Sequence, residues 1–210
     1  ARRLNRGWLN EHMLSIPAVR VNGKAISRLE SGHPWIFRSD LLNTAEAQPG
    51  EAVRVVDPRG KAVGTAHYSS TSQIALRLLS RQVIAVDEAF LRQRIEAATQ
   101  YRKRVVRHSD AYRLVYSEGD LLPGLIIDRY SDYFVIQFLN QGMDRATREV
   151  THCLEQLFSP AGIIARNDVS VRSKENLPLE VKTLAGTVPE RVSVRMNGLV
   201  WQADLAHGQK

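Results

Sequence analysis

The residues of this chain that could do chemistry fall in four places. The first is the stretch Ser31-Gly32-His33-Pro34-Trp35-Ile36-Phe37-Arg38-Ser39-Asp40-Leu41. Gly32 has access to backbone angles closed to other residues, and Pro34 fixes its own φ while pushing His33 toward extended geometry. A stiff bend results, with aromatic residues beside it and donors from Lys24, Arg28, His33 and Arg38 at its rim. A phosphate backbone or an unpaired nucleotide could approach such a bend closely. The competing reading is a turn that only plugs a small barrel with Trp35. The second place is Cys153, the one thiol in the chain, which sits among Val150, Leu154 and Leu157 at helical spacing. An apolar setting raises a thiol pKa and leaves it inert. The third is the loose acidic group Glu118, Asp120 and Asp128, read as loop and strand-end residues with Asp128-Arg129 as a local ion pair. The fourth is a run of cations at residues 102–107, including Arg102, Lys103 and Arg104, suited to phosphate contact or to a solvated helix face. The six histidines are scattered, and none has metal-ligand spacing.

Charge sharpens the choice of partner. The net charge is +7, yet residues 1–110 alone carry +8 and residues 111–210 carry −1. The excess lies where the bend lies, which favours an anionic partner such as nucleic acid. A single cysteine excludes a disulfide framework and fits a reducing cytoplasm, and no apolar run approaches a membrane span.

The elements that must position these residues follow from pattern. Residues 1–17 read as an extension carrying Arg2, Arg3, Arg6 and Trp8. Lys24–Glu30 reads as a short helix. Short strands follow at 51–56, 61–68 and 73–79, the last alternating Ile74, Leu76 and Leu78 against Gln73, Ala75 and Arg77. Asp57-Pro58-Arg59-Gly60 turns the chain between two of them, and Gly64 marks a bulge or tight bend. From Asp87 the apolar period becomes helical through Leu91, Ile95 and Ala98. Residues 111–190 read β-β-β-α-β, with Asp144 able to cap the helix and 167–178 left as a polar segment. Residues 191–205 form the clearest hairpin, turning at Asn197-Gly198. The expected class is α+β: a small β-barrel at 18–86, a basic helix at 87–110, a small α+β domain at 111–190 and a hairpin at 191–210.

Three blocks, in order, resemble one family. Lys24…Arg28-Leu29…Gly32-His33-Pro34-Trp35-Ile36-Phe37 resembles the N-terminal PUA domain of bacterial methyltransferases that use S-adenosylmethionine (AdoMet) to methylate C5 of a cytosine in large-subunit ribosomal RNA. Tyr112-Arg113-Leu114…Glu118-Gly119-Asp120-Leu121-Leu122-Pro123-Gly124-Leu125-Ile126-Ile127-Asp128-Arg129-Tyr130 is similar to that family's central α/β domain. Asp204-Leu205-Ala206-His207-Gly208-Gln209-Lys210 is similar to the hairpin leading into its catalytic domain, which would follow Lys210.

The resemblance implies ribosomal RNA as partner and a cytoplasmic protein; by residue type and place, Lys24, Arg28, Gly32, His33, Arg38, Arg77, Arg102, Lys103 and Arg104 are the RNA-binding candidates. A homodimer is a further possibility. Catalysis in that family needs a thiolate to attack C6 of the base, and AdoMet needs a glycine-rich turn between a buried strand and a helix. Cys153 in an apolar setting does not suit the first task. Glycines 119, 124 and 142 are not expected at such a turn. The expectation is therefore an RNA-binding chain with no catalytic residues, metal or AdoMet of its own. Two alternatives stay open: a stand-alone RNA-binding or ribosome-associated adaptor, and a structural, dimer-forming region.

Overall fold

The structure is a computed structural model, and it describes residues 16–208. The extension expected at 1–17 lies mostly outside those residues. The chain divides between Val86 and Asp87 into two compact units.

The first unit is a curled six-stranded sheet with one helix. Its strands are β1 (Ala18–Val21), β2 (Trp35–Phe37), β3 (Leu41–Asn43), β4 (Ala52–Val56), β5 (Ala62–Tyr68) and β6 (Ile74–Ser80). They lie in the order β2-β6-β5-β4-β1-β3, antiparallel except for the parallel pair β1–β4. The two edge strands, β2 and β3, are consecutive in sequence, and only the single-turn helix Arg38–Asp40 lies between them. The sheet is therefore a half-barrel whose open side is spanned by that turn. Helix α1 (Gly23–Glu30) is capped by Asn22, whose side-chain oxygen accepts from the Ala25 amide at 2.9 Å. It buries Ala25 and Leu29 against Val19, Val21, Ile36, Val53, Val55 and Leu76. Ile36 fills the core here, and Trp35, which the competing reading placed there, is only half-buried. Gly64 stands at an irregular step of the β4–β5 ladder, where a Cβ would come within 2.3 Å of the Ser80 carbonyl oxygen. No larger residue fits there without moving backbone.

The second unit begins with α2 (Glu88–Val105), capped by the Asp87 carboxylate on the Phe90 amide. Its sheet runs β11-β10-β9-β8-β7, from β7 (Ala111–Tyr116), β8 (Leu125–Tyr130), β9 (Tyr133–Phe138), β10 (Gly162–Arg166) and β11 (Val181–Gly186). Between β9 and β10 lie α3 (Gln141–Arg145) and α4 (Thr147–Phe158). The expected β-β-β-α-β order is present with β11 added at the sheet edge. Asp144 caps neither helix: it lies inside α3, which Asn140 caps, and α4 starts after Ala146 without a side-chain cap. The hairpin β12 (Arg191–Met196) and β13 (Leu199–Asp204) turns through Asn197 and Gly198, both at positive φ, as a two-residue turn of this type requires. Val192, Val194 and Leu205 pack on Ala111, Val135 and Ile164. Arg172, in the segment read as polar, is fully buried and pairs with Asp144 at 2.9 Å. Among the described residues no helix is long and apolar enough to cross a membrane.

His67 lies within β5, buried and directly opposite Arg77 on β6. Burial, with Arg77 adding a like charge, lowers its pKa from 6.5 to about 4. The unfolded chain therefore binds a proton that the folded chain refuses between those two values, so stability falls as pH drops from 6.5 toward 4. The expected loss is on the order of 3 kcal/mol by pH 4. His67→Gln should flatten this acid limb in thermal melts taken between pH 7 and 4.5. Parallel parent and variant curves would refute the assignment.

Candidate nucleic-acid interface

The bend after α1 is built from the inside. Gly32 takes φ +96, and the His33 amide donates to the Arg28 carbonyl at 3.1 Å, closing the helix end. His33 Nδ1 accepts from the Trp35 amide at 3.2 Å, and its ring meets Trp35 edge-on at 5.4 Å between centroids. Ser31, Gly32 and His33 are exposed, as is Lys24 one helical turn before Arg28. No residue described hydrogen-bonds or ion-pairs with the Lys24 ammonium.

The two arginines expected at the rim are occupied. Arg28 pairs with Asp40 at 2.6 Å and lies over the Phe37 ring at 4.9 Å. Asp40 is 3% exposed and also accepts from the Asn22 side-chain amide at 3.3 Å. Burial works to raise the Asp40 pKa, but the hydrogen bonds from Arg28 and Asn22 outweigh it and hold the carboxyl below its ordinary value. Arg38 reaches across to the loop before β6. Its Nε donates to the Ser72 carbonyl at 3.0 Å and its Nη2 to the Ser69 carbonyl at 2.7 Å. Arg77 is buried and donates to the Ile74 carbonyl at 3.3 Å. These guanidiniums are fixed to the protein, and the picture of loose surface donors is corrected for Arg28 and Arg38. The signal that was available is Asn22, which caps α1 and also aims its side-chain amide at Asp40.

In the second unit, the C-terminal end of α2 carries a parallel arrangement. Arg102 forks onto Asp120 with contacts of 3.0 and 2.5 Å and donates from Nε to the Arg113 carbonyl at 2.9 Å. Arg113 in turn forks onto Asp128, its cross-strand partner in the β7–β8 ladder, at 2.8 and 3.2 Å. The pairing of Asp128 with Arg129 is thereby corrected; Arg129 donates to the Ser131 carbonyl at 2.7 Å. The acidic group Glu118, Asp120 and Asp128 is not a cation site, since two of the three carboxylates hold arginines. Lys103, Arg104 and Arg107 are exposed, and none of them hydrogen-bonds or ion-pairs with a described residue.

Cys153 is 1% exposed, and burial followed by the Glu88 charge pushes its pKa up to about 11. Gly142 departs from expectation, for it lies in the first turn of α3, immediately after the buried strand β9. That helix start is closed: the Gln141 amide donates to a Glu175 carboxylate oxygen at 3.4 Å, and the Gln141 side chain donates to the Glu175 carbonyl at 2.8 Å.

Residues 19–81 match a family described as a PUA-like domain. The chain is 37% identical over 185 residues to ribosomal RNA large subunit methyltransferase I of Tolumonas auensis, covering 85% of the chain and 46% of the relative. The namesake in Vibrio cholerae is 35% identical over 199 residues, covering 92% and 50%. Among solved structures, a candidate methyltransferase complexed with SAH superposes with a TM-score of 0.78 at 20% identity, over 92% of this chain and 49% of that one. A candidate SAM-dependent methyltransferase from Streptococcus mutans gives a TM-score of 0.75 at the same identity, over 92% and 50%. These two likenesses bear on fold. The chain spans about half the length of the curated relatives it matches.

The clamp at Asp40 makes a stability prediction. Asp40→Ala leaves Arg28 without its carboxylate and should cost about 2–4 kcal/mol. Lys24→Ala, at an exposed site, should stay within about 0.5 kcal/mol of the parent. Urea unfolding of both variants reads the difference; equal midpoints would show that the clamp holds nothing.

Proposed function

We propose that this chain is the RNA-binding part of an AdoMet-dependent large-subunit ribosomal RNA methyltransferase of the cytosine-C5 class, with ribosomal RNA as its partner. The observation that carries the reading is the coincidence of the PUA-like unit with the charge: the half of the chain that holds it carries all of the positive excess. The half-length match to rRNA methyltransferases supports the same class.

Direct RNA contact is assigned to Lys24, to His33 with the exposed backbone at Gly32, and to Lys103 and Arg104. Arg28, Arg38, Arg77 and Arg102 are assigned the task of holding those surfaces in shape. Two features support placing methyl transfer outside these residues. Cys153 is buried with a raised pKa, where a nucleophilic thiolate needs exposure and a lowered one. The helix start at Gly142, which follows the buried strand β9, is filled by Glu175, a carboxylate that would repel rather than cradle an anionic or carboxylate-bearing group. These residues do not fit AdoMet.

Equilibrium binding of a large-subunit rRNA fragment, measured from 50 to 300 mM salt, tests the reading. The affinity should fall with a log–log slope of about −0.7 to −0.9 for each phosphate contacted, and Lys24→Ala should reduce the slope by about one such unit. A salt-independent affinity would overturn the electrostatic account.

A further inference from the structure

The second unit holds a cleft that the PUA-like surface does not explain. It encloses about 320 Å³ and is lined by Tyr101, Arg102, Tyr116, Gly119 and Asp120. That is the small end of the range for ligand pockets, suited to one planar ring. We propose that Tyr101 and Tyr116 form a stacking slot for a single unpaired RNA base, with Arg104 taking its phosphate; the inference rests on the RNA-binding reading above.

The rings are placed as a ligand site and not as core. Tyr101 is 50% exposed and Tyr116 57% exposed. Among the described residues only Trp201 is a comparably exposed aromatic, so two of the three share one small cleft. Each ring is backed by a guanidinium that is itself locked. Arg102 lies 5.0 Å from the Tyr101 centroid while forked onto Asp120, and Arg113 lies 5.4 Å from that of Tyr116 while forked onto Asp128. The fold is thus held by the ion pairs, and the water-exposed ring surface is left available. Base–aromatic stacking is the contact through which proteins hold single-stranded nucleic acid, and it is indifferent to sequence because every base has a π-face.

The turn beneath the slot is shaped for it. Gly119 has no side chain where a Cβ would stand 3.3 Å from the Tyr116 ring. Ser117 and Leu121, on either side of Gly119, hold φ values of +46 and +59, uncommon for residues with a side chain and found where structure over-determines a functional turn. The Asp120 carboxylate pins this turn from both sides, accepting from the Tyr116 amide at 2.6 Å as well as from Arg102. Three of its about four acceptor sites are already filled from within the chain, which turns it away from base-edge readout, so the slot is expected to be sequence-tolerant. Arg104 stands three residues after Tyr101, on the neighbouring position of the same helix face, exposed and unpaired among the described residues.

The test uses the intact chain with two probes: a ten-nucleotide single-stranded oligouridylate carrying one 2-aminopurine, and an RNA duplex of the same length. The parent should quench 2-aminopurine on binding. Tyr101→Ala and Tyr116→Ala should each weaken the single strand by about 5-fold or more and remove the quenching, while duplex affinity stays at the parent value. Tyr101→Phe and Tyr116→Phe should bind like the parent, since the ring face and not the hydroxyl does the work. Gly119→Leu should block the slot with little change in melting temperature, which separates occlusion from misfolding. Single-strand affinity and quenching unchanged in both alanine variants would overturn the slot and leave RNA binding standing. A parent that binds neither probe would overturn the RNA-binding reading and the slot with it.

Discussion

The first unit depends on one carboxylate. Its sheet has two edges, β2 and β3, that no ladder joins, and the three residues Arg38–Asp40 are all that spans them. Asp40 ties this turn to α1 twice, through the Arg28 guanidinium and the Asn22 amide, while the Asp40 carbonyl accepts from the Asn22 backbone at 2.9 Å. The helix cap, the start of β3 and the closure of the half-barrel therefore share a single ionised group. A buried carboxylate is costly unless hydrogen-bonded donors surround it, and here they do. The exposed bend Ser31–His33 is rigid because the helix before it and the turn after it are both held by Asp40.

The same device recurs, and it decides which cations can meet an RNA. Arg28, Arg38, Arg102, Arg113, Arg166 and Arg172 all place their guanidiniums on carboxylates or backbone carbonyls of the chain itself. The planar fork suits this use, since it satisfies several acceptors at once with one side chain. The positive excess counted from composition overstates what is presented outward. Among the cations that stay exposed at the described surfaces are Lys24 beside the bend and Lys103, Arg104 and Arg107 at the end of α2.

What could be read in the sequence was what is decided locally. The Asn197-Gly198 turn needs two residues at positive φ, and the dipeptide announces it. Gly64 flags a close backbone approach, and helical spacing places α2 and α4. Most of the misses share a cause, which is distance along the chain. The acceptors for Arg38 lie 31 and 34 positions away, and the Phe138 carbonyl that receives Arg172 is also 34 positions away. Asp128 chooses Arg113 over its neighbour Arg129 because the β7–β8 register sets them opposite one another. The strand β11 was hidden because its residues are mostly exposed and show no alternation. Tyr101 and Tyr116 are 15 positions apart in sequence, so only the folded chain reveals that they line one cleft.

The central claim is a division of labour among the arginines, between those that hold the fold and those that face RNA. The most direct measurement is the NMR titration of the arginine Nε–Hε resonances with a large-subunit rRNA fragment. The account predicts that Arg104 and Arg107 shift as RNA is added, while Arg38 and Arg172, whose Nε–H groups are already donated to carbonyls, hold their positions. Shifts at Arg38 and Arg172 with Arg104 and Arg107 unmoved would contradict it.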